Sequence, residues 1–355
     1  MTISSLSPIH FQAKWTPDLE YLNPANRSIA RKVYEFVKSV VFFVPNFILE
    51  ASIRLAVLPS SNFLLKLFLK ESIENWKGNK NKIDLELKTP DHISLKGCFI
   101  KHKDYDPSNP NSRVIILFHG NGAIYQGYSW SWLGQTLSKH QKNYSFLLFN
   151  PRGVGESTEG YANSDNLLLD CETAYQFAVN YLKIPENRID LYGHSLGGAE
   201  AAHLKALHPA TGGRLYLDRT FENVEKEALH FLKDHYSFIK KLTAFLLRKF
   251  HWTFDNYKAL TKIKDPVHVF HHRKDAVIPK DCSLAQAVLN NNPHPETLEV
   301  HEFDDESYKG SAAANKPHLE EVPMIPSWHM APLTTLTLVD DAKGRNCKKL
   351  LQEIF

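Results

Sequence analysis

Apolar and polar positions follow three textures along this chain. From Lys82 they alternate: Ile83, Leu85 and Leu87, then Ile93, Leu95 and Cys98-Phe99-Ile100, with Thr89-Pro90-Asp91-His92 between the two runs. A Pro-Asp turn between alternating segments predicts an antiparallel hairpin. Beyond a polar loop at 104–112, short apolar runs recur at 114–118, 146–149, 189–192, 215–217, 267–271 and 298–303, separated by helix-length segments. Strands that alternate with helices predict a mostly parallel central sheet covered by helices on both faces.

The second texture fills residues 28–76. Val40-Val41-Phe42-Phe43-Val44, Phe47-Ile48-Leu49, Phe63-Leu64-Leu65 and Leu67-Phe68-Leu69 give a greasy, helical pattern. Crossing a bilayer takes about 20 mostly apolar residues, and Pro45, Glu50, Arg54, Pro59 and Lys66 interrupt every such window. The block therefore reads either as helices packed on the main domain or as a peripheral membrane contact helped by Arg27, Arg31, Lys32 and Lys38.

The third texture is the stretch 219–262, too long for an ordinary connection. Val224, Ala228, Phe231, Tyr236, Ile239, Leu242, Phe245 and Leu246 approximate an amphipathic helix, with Lys233, Lys240, Lys241, Arg248 and Lys249 as its basic component. It reads as a small helical cap or as an ordinary surface helix pair. The organisation expected is an apolar helical N-terminal extension at 1–81 and a main domain at 82–355 with the cap inserted at about 219–262.

Composition narrows the function. With 42 basic and 39 acidic residues the net charge is +3, which argues against a nucleic-acid partner. The four cysteines, Cys98, Cys171, Cys282 and Cys347, lie far apart, so neither a thiolate metal site nor a disulfide scaffold is expected. Residues 1–18 lack a basic segment leading into an apolar one, so no cleavable signal peptide is expected. That leaves a cytoplasmic protein, one exported without such a signal, or one held at a membrane surface.

The candidate chemistry centres on Ser195. Gly193-His194-Ser195-Leu196-Gly197 follows the apolar Ile189-Asp190-Leu191-Tyr192 and precedes the small-residue run Ala199, Ala201, Ala202 and Ala206. A serine held on a sharp strand-to-helix turn can project its hydroxyl, and flanking glycines make room for that turn. The plainer alternative is a helix-capping serine. A nucleophilic serine needs a histidine base and an acid to orient it. Asp275, just past the 267–271 strand, is the candidate acid, with Asp218 as second choice. The base is expected after the last strand: His329, in Ser327-Trp328-His329-Met330-Ala331, is preferred over His318, and His301 reads as a packing residue within its strand. Oxyanion donors are expected from the N–H of Leu196 and from Asn121 or Gly122, in the turn His119-Gly120-Asn121-Gly122.

Taken in order, the His119-Gly120 turn, Arg152-Gly153-Val154-Gly155-Glu156-Ser157, the 193–197 elbow and the Asp275 segment resemble the α/β-hydrolase superfamily over residues 82–355. Asp218-Arg219-Thr220-Phe221 before a helical insertion is similar to the branch holding prolyl and acyl hydrolases with small caps. The greasy N-terminal block joined to this core more distantly resembles hydrolase-like proteins of Chlamydia and SidB-type effectors of Legionella. The resemblance implies a serine esterase or lipase-like enzyme of α/β-hydrolase fold that takes a small-molecule or lipid ester, with no cofactor and no metal. The alternative is a catalytically inactive binding protein of the same fold. Substrate chain, head group and oligomeric state do not follow from these residues.

Overall fold

A computed structural model describes residues 8–26, 73, 74, 76, 82–102, 105–126, 144–232, 237–273, 275, 277–304, 337 and 338. Among the described residues ten strands form one sheet: β1 Ile9–Gln12, β2 Lys82–Lys88, β3 Ser94–Ile100, β4 Arg113–Phe118, β5 Tyr144–Phe149, β6 Ile189–His194, β7 Leu215–Asp218, β8 Val267–His272, β9 Leu298–Asp304 and β10 Thr337–Leu338. Their order across the sheet is β1-β2-β3-β5-β4-β6-β7-β8-β9-β10. β2 and β3 pair antiparallel as the expected hairpin, its turn closed by Thr89, whose N–H donates to the Ile93 carbonyl and whose Oγ accepts from the Ile93 N–H. From β5 through β9 every neighbouring pair is parallel.

Six α-helices are described: α1 Ser164–Gln176, α2 Leu196–Leu207, α3 Val224–Phe231, α4 Ser237–Lys249, α5 Asn256–Leu260 and α6 Leu284–Asn290. Asn163, Asn223, Asp255 and Ser283 cap four of them, each side chain accepting from a first-turn N–H. One core cluster joins alternate strand residues Val114, Ile116, Phe118, Leu191, Leu215, Leu217, Val267 and Val269 to Leu169, Ala174, Ala201 and Leu204 of the helices. All residues of β5, β6 and β7 are buried, as strands covered on both faces must be.

Two features depart from the sequence reading. Ile9–Gln12, inside the stretch expected to be helical, is a strand parallel to β2, with Ile9 and Phe11 turned inward and His10 and Gln12 exposed. Its alternation spans only four residues, too few to stand out in a polar neighbourhood. Among the described residues the 219–262 insertion holds three helices, of which α3 is mostly half-buried and α4 is exposed along one face. Val224 and Leu247 anchor them to an apolar cluster that includes Leu196, Ala199, Phe254 and Ile278. The greasy 28–76 block lies outside the described residues except for 73, 74 and 76, as does all of 305–336. Among the described residues no helix is long and apolar enough to cross a membrane.

The strand order fixes where a site can form. The chain leaves β4 toward β5 on one side and leaves β6 toward β7 on the other, so the connections diverge between two hydrogen-bonded neighbours. That divergence opens a crevice beyond the carboxyl ends of β4 and β6. The 119–122 turn and Ser195 are the residues that follow those two ends.

Candidate active site

Ser195 joins β6 to α2 in a conformation that serves no capping role. Its φ is +53° and ψ −119°, a strained backbone for any residue with a side chain, and its hydroxyl makes no hydrogen bond to the first turn of α2. A capping serine sits in the extended region and spends its oxygen on the helix. The strain is held by surrounding bonds: Ser195 N–H donates to the Asp218 carbonyl (3.0 Å), while the Ser195 carbonyl accepts from Thr220 Oγ1 (2.7 Å) and Gly198 N–H (3.0 Å). Gly193 and Gly197 have to be glycine. A Cβ on Gly193 would meet the Gly197 carbonyl oxygen at 2.1 Å, and one on Gly197 would meet the Phe118 carbonyl oxygen at 2.2 Å.

The turn after β4 lies directly against this elbow. A Cβ on Gly120 would stand 2.8 Å from His194 Nδ1 and 3.2 Å from Ser195 Cβ. The Ala123 N–H closes the turn on the Gly120 carbonyl, and Gly122 takes the positive φ (+76°) that the third position of a type II turn demands. Asn121 and Gly122 thus form the corner beside Ser195. Leu196, on the other side, opens α2, where N–H groups lack intrahelical partners and the helix dipole favours negative charge.

Asp275 is buried three residues beyond β8. One of its carboxylate oxygens accepts from the N–H groups of Val277 and Ile278, each at 2.9 Å, and this fixes the side chain. β6, β7 and β8 run parallel in adjacent register, so Ser195 and Asp275 emerge from the same edge of the sheet, two strands apart. His329 and His318 lie outside the described residues.

Asp218, the second-choice acid, ends β7 with both oxygens engaged. Oδ1 accepts from Arg219 Nε (2.7 Å), and Oδ2 from Arg219 Nη2 (2.7 Å) and the Tyr192 hydroxyl (2.6 Å). Burial alone would raise its pKa, but the Arg219 charge and bonds, with His194 and Tyr192, hold it below the usual carboxylate value. A left-handed Arg219 (φ +47°) is what lets adjacent residues pair this way. The pair braces the floor of the elbow.

Arg152 is equally committed. Its guanidinium and N–H bind Asp170, and Nη1 and Nη2 bind Asp91, so the 150–157 loop is a buried brace that ties β5 to α1 and the hairpin. Sequence reasoning missed two residues near the site. Thr220 fastens the Ser195 carbonyl. Glu227 of α3 is buried, and its oxygens find no stronger partner among the described residues than the Cys282 thiol. Burial, then the charge of Asp275, pushes its pKa up to about 8, the Cys282 thiol opposing the rise.

Comparison with known proteins agrees with this architecture. A family described as alpha/beta hydrolase fold matches residues 113–262, from β4 through the cap helices. The chain has the α/β-hydrolase fold. An acetyl xylan esterase from Paenibacillus sp. R4 shares the fold, with a TM-score of 0.50 at 16% identity over 74% of this chain and 93% of that one. An uncharacterized protein of Caenorhabditis elegans is 26% identical over 229 residues, 63% of this chain and 44% of its own length. Protein phosphatase methylesterase 1 of Schizosaccharomyces pombe is 28% identical over 173 residues, 47% of this chain and 49% of the relative. The chain spans less than half the length of both these relatives. In this fold the Gly193–Gly197 spacing, the strained Ser195 and the Gly120 turn have the backbone geometry a nucleophile elbow and its neighbouring loop would need.

Proposed function

We propose that this α/β-hydrolase cleaves acyl esters through a Ser195–His329–Asp275 triad, with His318 as the alternative base. The observation that carries the reading is the strained Ser195, whose hydroxyl does not cap α2. Ser195 Oγ attacks the ester carbonyl carbon while the histidine takes its proton. The carbonyl oxygen becomes an oxyanion, stabilised by the N–H groups of Leu196 and of Asn121 or Gly122. Collapse expels the alcohol, which takes the proton from the imidazolium. Water then attacks the acyl-enzyme with the same histidine as base, releasing the acid and restoring Ser195. Asp275 orients the imidazole and balances its charge. These steps use only side chains and backbone amides of the chain.

Two features favour an apolar acyl group or a lipid surface over a peptide. Phe238, Leu242 and Phe245 lie at helical spacing on α4 and are exposed, beside the basic Lys240, Lys241, Arg248 and Lys249. The greasy 28–76 block supplies a second apolar segment for peripheral contact. The methylesterase and esterase names of two similar proteins are consistent with ester cleavage. A panel of p-nitrophenyl esters from acetyl to palmitoyl, offered as monomers and in vesicles, tests the reading. Turnover that rises with chain length and on vesicles, and that is lost in Ser195→Ala, supports it. Absence of turnover across the panel with folded protein removes it in favour of a ligand-binding protein of the same fold.

A further inference from the structure

At the end of the sheet away from Ser195, three side chains from β8 and β9 converge. Parallel register sets Glu299 opposite His268, and His301 lies two residues further along β9, so all three share one face of the sheet. His268 Nδ1 and His301 Nε2 are 3.2 Å apart. Glu299 Oε2 lies 3.8 Å from His268 Nδ1 and 3.8 Å from His301 Nε2. We propose that His268, Glu299 and His301 bind one divalent cation of borderline softness, zinc above all.

The geometry is quantitative. The nearest point equidistant from three atoms so spaced lies in their plane about 2.1 Å from each, and a modest displacement toward the open side keeps it near the bond length zinc makes to imidazole nitrogen and carboxylate oxygen. The two rings share a hydrogen bond as they stand, and a hydrogen bond between imidazoles does not require a carboxylate oxygen at equal distance from both nitrogens. Small rotations of the rings turn their nitrogens from each other toward the common point.

The surroundings suit a metal. Tyr216 stacks on His268 with ring centroids 5.3 Å apart, and Phe270 stacks on His301 at 5.0 Å, so packing orients both imidazoles before any ion arrives. The two histidine side chains are 14% and 5% exposed, whereas Glu299 is 62% exposed. The site thus has a rigid, half-dry floor and an open side for entry and for water as a fourth ligand. One carboxylate leaves a divalent ion with a net single positive charge. Arg214 adds positive charge nearby and Asp190 opposes it. Two imidazoles and a carboxylate select zinc, nickel or copper over calcium and magnesium. His268 is the second residue of β8 and Asp275 follows the other end of that strand, so the ion would tie β8 to β9 without reaching the chemistry at Ser195.

The test is zinc titration of the full chain, stripped with EDTA, against a chromophoric chelator, with cobalt(II) absorption as the report of coordination. One equivalent of zinc is expected, with a cobalt spectrum of low coordination number. His268→Ala should remove the bound equivalent, and Glu299→Ala, at an exposed position that folding tolerates, should weaken it at least tenfold. Zinc should raise the melting temperature of the wild type more than that of Glu299→Ala. No stoichiometric binding, or equal binding by wild type and Glu299→Ala, overturns the proposal and assigns any uptake to the other histidines. Fluorophosphonate labelling of Ser195, unchanged by zinc or by Glu299→Ala, keeps this outcome separate from the fate of the hydrolase reading.

Discussion

The hydroxyl of Thr220 donates to the main-chain carbonyl of Ser195 at 2.7 Å, and through that bond the loop after β7 helps hold the serine in its strained turn. Gly198 packs directly on Thr220, where a Cβ would come within 2.6 Å of the Thr220 Cβ. The elbow is therefore clamped from two sides.

Thr220→Val keeps the shape and removes the donor. The Ser195 carbonyl retains the Gly198 N–H, and Asn256 Nδ2, which loses a long 3.5 Å bond to the hydroxyl, retains the Phe221 carbonyl, so the loss is about 1 kcal/mol. Urea denaturation should show a lower midpoint with an unchanged slope, and labelling of Ser195 by a fluorophosphonate should slow because the turn is less well held. A variant as stable and as reactive as wild type would show that the strain is held elsewhere.

The two aspartates at the strand ends should separate chemistry from stability. Asp275→Asn is expected to leave folding nearly intact and to lower ester turnover by roughly 10⁴-fold, the size seen when a triad histidine loses its orienting carboxylate. Asp218→Asn leaves Arg219 charged in a buried site, so it should cost about 3–5 kcal/mol of stability. Thermal melts and turnover on the same two proteins decide this. The reverse pattern would make Asp218 the acid.

Glu227 gives a pH signature. Its pKa is about 8 folded and near 4.5 in the unfolded chain. Below pH 4.5 both states are protonated and the contribution is intact. Between pH 4.5 and 8 only the unfolded chain releases the proton, so stability falls as pH rises, at about 1.4 kcal/mol per pH unit for a single group. Glu227→Gln should flatten denaturation free energies across that window and gain most near pH 8. A wild-type profile with the same slope as Glu227→Gln would mean that the carboxyl is already ionised in the folded protein.

The base is to be found by substitution. His329→Ala should abolish turnover while His318→Ala leaves it within a few fold. The opposite result moves the role to His318, and activity in both variants would remove a histidine base from the 305–336 segment.

Much of this was legible because fully buried strands write themselves as apolar runs. The 114–118, 189–192 and 267–271 runs became β4, β6 and β8, and the strand-then-alanine context of Ser195 marked the elbow. What stayed hidden needs three dimensions. Ile9–Gln12 shows its two-residue period over too few positions. The Asp218–Arg219 pair exists only because Arg219 turns left-handed, which no side-chain pattern announces. Thr220 reads as an ordinary residue until its partner is found across the turn. Glu227 sits on a helix whose pattern spoke of charge and grease, not of a buried acid. His268, Glu299 and His301 meet only through the register of two strands far apart in sequence.

The most direct test of the hydrolase reading is labelling of the purified full chain with a fluorescent fluorophosphonate, wild type against Ser195→Ala. Stoichiometric labelling of wild type that disappears in Ser195→Ala is the predicted result. Folded wild-type protein that takes up no label, or labelling that persists in Ser195→Ala, contradicts it.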